Sequence, residues 1–233
     1  MSQLSSISNR LLLSGPESGE PVILLHGIGQ SNREMNPLAR HLAANGFRVW
    51  NTYYPSTRHS LADLAADWLA PVVAEVAASA SQQGHKWHVA TMSMGGILAR
   101  LFLQNAPQPG LGRCVFLAPP SCGSEVADFL QNLWLYRRFW GKAGQELVTA
   151  PSGICHRFQP VSYPLGVVAG NVSIDPWFAH CFEGPNDGKV AVERAKVPGM
   201  RDFLVLPYSH YFLNKRRETA RQTAHFLQHG CFA

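Results

Sequence analysis

Short, mostly apolar runs alternate along this chain with segments of helical periodicity, and that alternation leaves few folds open. Val22-Ile23-Leu24-Leu25, Trp87 to Met92, Cys114-Val115-Phe116-Leu117 and Leu165 to Ala169 are apolar on neighbouring positions rather than on every second one. Strands with this pattern are covered on both faces, as in a parallel sheet. Phe47 to Tyr54 and Phe203 to Leu206 add two further strands. Between them, helices are predicted over Met35 to Asn45, ended by Gly46, over Leu61 to Ala80, over Gly95 to Asn105, stopped by Pro107, and over Lys215 to Gln228, terminated by Gly230. Strand, helix, strand in strict order predicts an α/β architecture, with a mostly parallel central sheet and helices on both faces. A length of 233 residues suits one domain spanning 1–233.

Composition narrows the function classes. With 46% hydrophobic and 15% charged residues, the chain has the makings of a large core. The net charge of +5 is scattered, and its densest group, Lys215, Arg216, Arg217 and Arg221, reads as a solvated helix face. No nucleic-acid motif accompanies it, so no nucleic-acid partner is expected. Met1 to Gly15 has no basic segment ahead of an extended apolar one, which argues against a leader and for a cytoplasmic protein. The most apolar long stretch, Leu61 to Ala80, carries Asp63, Asp67 and Glu75, so no integral membrane association is expected. Five cysteines, Cys114, Cys122, Cys155, Cys181 and Cys231, fit neither a zinc site nor a disulfide framework, although a single pairing such as Cys155 with Cys181 stays open. Neither a metal nor an organic cofactor is expected.

Thr91-Met92-Ser93-Met94-Gly95-Gly96 falls where a strand should turn into a helix. A sharp turn there holds a serine hydroxyl above the sheet, and the Met94 N–H points from the helix N-terminus toward a developing oxyanion. Thr91 stands where such turns carry a small residue, so its β-branched side chain is expected to crowd the strand–helix contact. His26-Gly27-Ile28-Gly29 follows the first strong strand, where the Ile28 N–H would be the second oxyanion donor. Loss of one such donor typically costs about 3–4 kcal/mol in barrier.

The base must be chosen among ten histidines by place. His210 lies just past the last strand, where a loop can hang an imidazole over Ser93, whereas His225 and His229 belong to the closing helix. The orienting acid should fall between nucleophile and base. Asp187, in the turn-forming Gly184-Pro185-Asn186-Asp187-Gly188, is the first choice, and Asp175, ahead of Pro176, stays open as the alternative. The aromatic segment Phe129 to Phe139, followed by Trp140, is a candidate cap, with residues 121–160 as a small insertion and Trp134, Phe139 and Trp140 as substrate contacts.

Taken together, H-G-I-G, T-M-S-M-G-G, N-D-G-K-V and S-H-Y-F resemble the bacterial α/β-hydrolase lipases and esterases related to the PGAP1-like group. Asn51-Thr52-Tyr53-Tyr54-Pro55-Ser56, Ala118-Pro119-Pro120-Ser121 with Gly123-Ser124, and His225-Phe226-Leu227 belong to the same resemblance. It implies an α/β-hydrolase fold, a Ser93, Asp187, His210 triad with Ile28 and Met94 as oxyanion donors, and a small-molecule ester substrate cleaved through an acyl-enzyme. Two rival uses of the fold are an acyltransferase or thioesterase with the same triad, and an inactive binding module.

Overall fold

The computed structural model describes residues 11–105 and 108–233. The described strands are β1 (Leu11–Ser14), β2 (Pro21–Leu25), β3 (Arg48–Thr52), β4 (Trp87–Met92), β5 (Leu111–Leu117), β6 (Leu165–Gly170) and β7 (Asp202–Leu206), in spatial order β1-β3-β2-β4-β5-β6-β7. Only β1 runs antiparallel, pairing Leu11 with Thr52 through Ser14 with Val49. The other neighbouring pairs are parallel.

Strand periodicity explains why consecutive apolar residues are needed. Ile23, Leu25, Val89, Phe116 and Val167 pack on one face of the sheet, against Val73 and Val76 of α3 (Ala70–Gln82) and Ile97 and Leu98 of α4 (Met94–Gln104). Val22, Leu24, Ala90, Val115 and Val168 pack on the other, against Leu38 and Leu42 of α1 (Asn36–Ala44) and Ala220, Ala224 and Phe226 of α8 (Arg217–His229). Each central strand therefore feeds two cores, so a polar residue on either side would be buried. This is the α/β-hydrolase architecture.

The predicted elements are present with shifted ends. The single helix expected over Leu61 to Ala80 is α2 (Leu61–Leu64), a π-helical turn over Ala65–Leu69, and α3. Pro71 is the physical reason, because it has no N–H to give to Asp67, and the widened turn, in which the Ala70 N–H reaches the Ala65 carbonyl, absorbs the mismatch. The helix expected from Met35 begins with a 3₁₀ turn at Asn32–Met35. Pro107, expected to stop α4, lies outside the described residues, as do Met1 to Arg10 of the segment read against a leader. No helix among the described residues is long and apolar enough to cross a membrane.

Between β5 and β6 the chain forms α5 (Glu125–Leu130), α6 (Trp134–Gln145) and a 3₁₀ turn at Ile154–Arg157. Gly141 breaks α6 with φ 60° and ψ −156°, and its Cα passes so close to the Thr57 carbonyl that a Cβ would sit 1.9 Å from that oxygen. The short helix α7 (Val192–Ala195) precedes β7.

Candidate active site

The turn from β4 into α4 is made at a single residue. Ser93 adopts φ 52° and ψ −123°, a conformation that costs a non-glycine residue about 1–3 kcal/mol and persists only where its surroundings impose it. Those surroundings are visible: the Ser93 N–H donates to the Leu117 carbonyl at 2.8 Å, and the Ser93 carbonyl accepts from the Gly96 N–H at 2.9 Å. A Cβ on Gly95 would lie 2.6 Å from the Leu25 carbonyl oxygen and 2.8 Å from that of His26, so the helix can seat against β2 only with glycine here.

Thr91 does not crowd this contact as expected. Its side chain is buried against Gly96, where an added Cβ would lie 3.1 Å from Thr91 Oγ1, so the missing side chain of Gly96 makes the room that a small residue at 91 would otherwise make. The hydroxyl has no hydrogen-bond partner, the cost of carrying a threonine at this position.

His26 fixes the neighbouring loop. Its Nδ1 donates to the Gly27 carbonyl at 2.8 Å, and its Nε2 accepts from the Tyr54 N–H at 3.4 Å, which assigns the neutral Nδ1-protonated tautomer. The Tyr54 ring stacks on the imidazole at 4.2 Å, and the Tyr54 hydroxyl donates to the His26 carbonyl. Burial pushes the His26 pKa down from 6.5 to about 4, outweighing the two backbone hydrogen bonds. Further along the loop, Gln30 Oε1 accepts from the Gly27 N–H at 3.1 Å and Ser56 Oγ from the Gly29 N–H at 3.0 Å. The Ile28 N–H has no acceptor among the described residues, and the Met94 N–H, at the first position of α4, has no intrahelical one.

On the far side, Asp187 is 1% and His210 7% exposed, and Asp187 Oδ2 accepts from His210 Nδ1 at 2.7 Å. Asp187 Oδ1 accepts from the Lys189 and Val190 N–H groups at 3.0 and 2.8 Å, while the His210 N–H donates to the Asp187 carbonyl at 2.9 Å. Asp175, the alternative acid, is engaged elsewhere, in an ion pair with Lys189 Nζ at 3.1 Å. With Nδ1–H committed to Asp187, Nε2 of His210 is the free acceptor.

Ser93, Ile28 and His210 line one cavity of about 290 Å³, together with Trp140, Leu130 and Tyr211. Of the aromatic contacts expected from sequence, Trp140 lines this cavity, but Trp134 and Phe139 do not: they project outward, 72% and 60% exposed. Tyr136, one helical turn before Trp140, is buried and stacked on it at 5.7 Å, and takes the inward place. Sequence reasoning missed Gln30, Phe178 and Lys189, whose Nζ sits 4.1 Å over the Phe178 ring in the cavity wall. Gln30 had a readable signal, three residues past Gly27 in a tight loop, whereas the Phe178 and Lys189 contact depends on tertiary placement. All five cysteines are free, so the Cys155 with Cys181 pairing is not formed. No group of three His, Cys, Asp or Glu among the described residues is placed to hold a metal ion.

No protein-family model and no curated protein sequence matches the chain. Solved structures do match in fold. The chain is similar to the mature form of the Bacillus licheniformis lipase BlEst2, with a TM-score of 0.69 and 19% identity over 92% of this chain and 93% of that one. The propeptide form of the same lipase matches with a TM-score of 0.69 and 20% identity over 88% of this chain, which spans only 50% of that longer form. A monoacylglycerol lipase from Paleococcus ferrophilus matches with a TM-score of 0.62 and 16% identity, over 94% and 99% of the two chains. At these identities the likeness establishes the α/β-hydrolase fold.

Two outcomes follow from this geometry. Gly95→Ala is expected to destabilise the protein by at least about 1–3 kcal/mol, since the added methyl meets backbone carbonyls that cannot rotate away. Chemical denaturation of the variant checks this, and an unchanged midpoint would contradict the seating of α4 on β2. For His26, the folded pKa lies below the unfolded one, so the unfolded chain takes up a proton that the folded chain refuses. Stability from this residue is therefore complete above about pH 6.5 and falls by up to about 3 kcal/mol as pH drops toward 4. In ¹⁵N NMR the ring should stay neutral and Nδ1-protonated to below pH 5; a midpoint near 6.5 would contradict the assignment.

Proposed function

We propose that the protein is an esterase that hydrolyses carboxylic esters through an acyl-enzyme, with Ser93 as nucleophile, His210 as base and Asp187 as orienting acid. The observation that carries the reading is the opening of the strained Ser93 turn and the Asp187-anchored imidazole onto one cavity. In the first step Nε2 of His210 takes the Ser93 proton as Oγ attacks the ester carbonyl. The carbonyl electrons move to the oxygen, which the Ile28 and Met94 N–H groups receive, and Asp187 stabilises the imidazolium. The imidazolium then protonates the departing alcohol as the ester C–O bond breaks. Water, deprotonated by the same Nε2, releases the acid and restores the serine.

The wall formed by Val126, Ala127, Leu130 and Leu147 is apolar, and the cavity is at the small end of ligand sites. Both features favour short- to medium-chain acyl groups, with residues 121–160 acting as a cap that supplies this wall.

Assays with p-nitrophenyl esters from acetate to palmitate test the reading. Ser93→Ala should abolish turnover and labelling by a fluorophosphonate, and Asp187→Asn should lower kcat by about ten-thousandfold because the wrong imidazole tautomer is stabilised. Full activity in Ser93→Ala, or no hydrolysis of any ester by the unmodified protein, would overturn it. Added alcohols or thiols that outcompete water in the product would redirect the same site to acyl transfer.

A further inference from the structure

The outward face of the segment over the cavity is apolar where a water-facing helix would be polar. Leu133, Trp134, Leu135 and Phe139 are all exposed on and beside α6, and Phe129 is exposed on α5. A second segment joins them, because the Phe129 ring meets the Phe178 ring edge-on at 6.3 Å, and Trp177, beside Phe178, is 76% exposed. Tyr211 is exposed and lines the cavity as well. Large exposed apolar residues scattered singly need no explanation, but a contiguous set around one cavity does.

The charges on this face have one prevailing sign. Arg138 follows Trp134 at helical spacing, Arg137 is exposed beside it, Lys142 is exposed just past the Gly141 kink, and residues 129–142 contain no acid. Asp128, just before, is consumed by the Thr149 N–H at 2.8 Å and the Thr149 hydroxyl at 2.5 Å. Glu183 is the exposed carboxylate of the second segment, and Asp63 and Glu146 both lie within electrostatic reach of Lys142. Tryptophan and phenylalanine interleaved with arginines on one exposed helical segment, with a lysine just beyond its kink, suit an interface where rings enter the acyl boundary and cations stay with anionic headgroups.

We propose that this face docks on an anionic lipid surface, with α6 lying in the interface and the mouth of the Ser93 cavity turned toward the lipid. The docking stands on the exposed face itself; only its consequence, that an ester could enter the cavity from the lipid phase, rests on the esterase reading. Charge complementarity selects this occupant over a second copy of the chain, whose identical basic face would repel it.

Vesicle co-sedimentation with the full chain tests the proposal, using phosphatidylcholine vesicles with and without phosphatidylglycerol. Binding to the anionic vesicles should be at least about tenfold tighter than to the neutral ones and should weaken from about 0.1 M to about 0.5 M salt. It should bring a blue shift in tryptophan emission. The pairs Trp134→Ser with Phe139→Ser and Arg137→Gln with Arg138→Gln should each lose roughly tenfold or more in binding. Both pairs should keep p-nitrophenyl acetate hydrolysis within about twofold, since none of the four side chains lines the cavity. Ser93→Ala should bind vesicles like the unmodified protein, which separates failure of docking from failure of the esterase reading. Equal binding to both vesicle types, no binding, or binding indifferent to both pairs would overturn the proposal. So would a dimer in light scattering that Trp134→Ser with Phe139→Ser dissociates, because a second copy would then cover the face.

Discussion

Helix α4 begins one residue after β4 ends, and at that point its backbone lies against the carbonyls of Leu25 and His26, with no space for a side chain on Gly95. The contact does two things at once. It locks α4 onto β2, tying together strands that belong to different βαβ units, and it leaves Ser93 no conformation except the left-handed one it adopts. The strain at Ser93 is held by two backbone hydrogen bonds and by a core in which Met94 and Ile97 are fully buried. A second non-glycine residue with positive φ, Ala118 at 44°, sits at the end of the adjacent strand β5, and its N–H donates to the Val168 carbonyl at 2.7 Å. Both strained residues lie at the carboxyl ends of neighbouring strands, and beyond Ala118 the chain turns so that Pro120 reaches the cavity wall. Strain in this fold is concentrated where the sheet meets the site, and the two cores around the sheet carry its cost.

The opposite wall is organised by charge rather than by strain. Asp187 is almost wholly buried, and a lone buried carboxylate would be costly, but its oxygens receive two backbone N–H groups and the His210 ring. The backbone donors hold the carboxylate rigid, and the carboxylate in turn sets the orientation of the ring. His26 works in the reverse sense: burial keeps its ring neutral, and a neutral ring can donate on one side and accept on the other, bridging Gly27 and Tyr54. One imidazole is therefore oriented by a buried carboxylate, and the other, kept neutral by burial, holds a loop.

What was legible in the sequence was whatever depends on local pattern. Consecutive apolar residues in β2, β4 and β6 announce strands covered on both faces, and the structure has them in a parallel sheet. Sequence position puts forward Ser93, His210 and either Asp187 or Asp175, and in the structure Ser93 and His210 line one cavity while Asp187 holds the His210 ring. Long-range compensation was not. β1 is four residues at the sheet edge with little pattern of its own, and it exists because Leu11 to Ser14 can pair with the free side of β3. The fit of Thr91 depends on Gly96 across a helix–strand contact. The aromatic segment is expected at the cavity because it follows β5 at the carboxyl edge of the sheet, but which rings turn inward depends on how α6 is rotated, and Tyr136 and Trp140, one helical turn apart, line the cavity while Trp134 and Phe139 do not.

That inversion has a physical consequence for the cap. A helix twelve residues long that buries Tyr136, Ala143 and Gly144 offers little apolar area to the body of the protein. The Tyr136 hydroxyl, donating to the Gly144 carbonyl at 2.9 Å, braces the helix across its own kink, and the tie to the body is made just past the helix, where Glu146 accepts from the Leu61 N–H at 3.0 Å. Burial raises the Glu146 pKa, so acidification would protonate this carboxyl sooner than an ordinary one and weaken its hold on α2. The helix keeps more hydrophobic surface outside than inside. In water that arrangement stabilises the segment weakly, and any apolar surface it meets adds to its stability by the area removed from water. The cavity is bordered by a segment that carries much of its apolar surface on the outside.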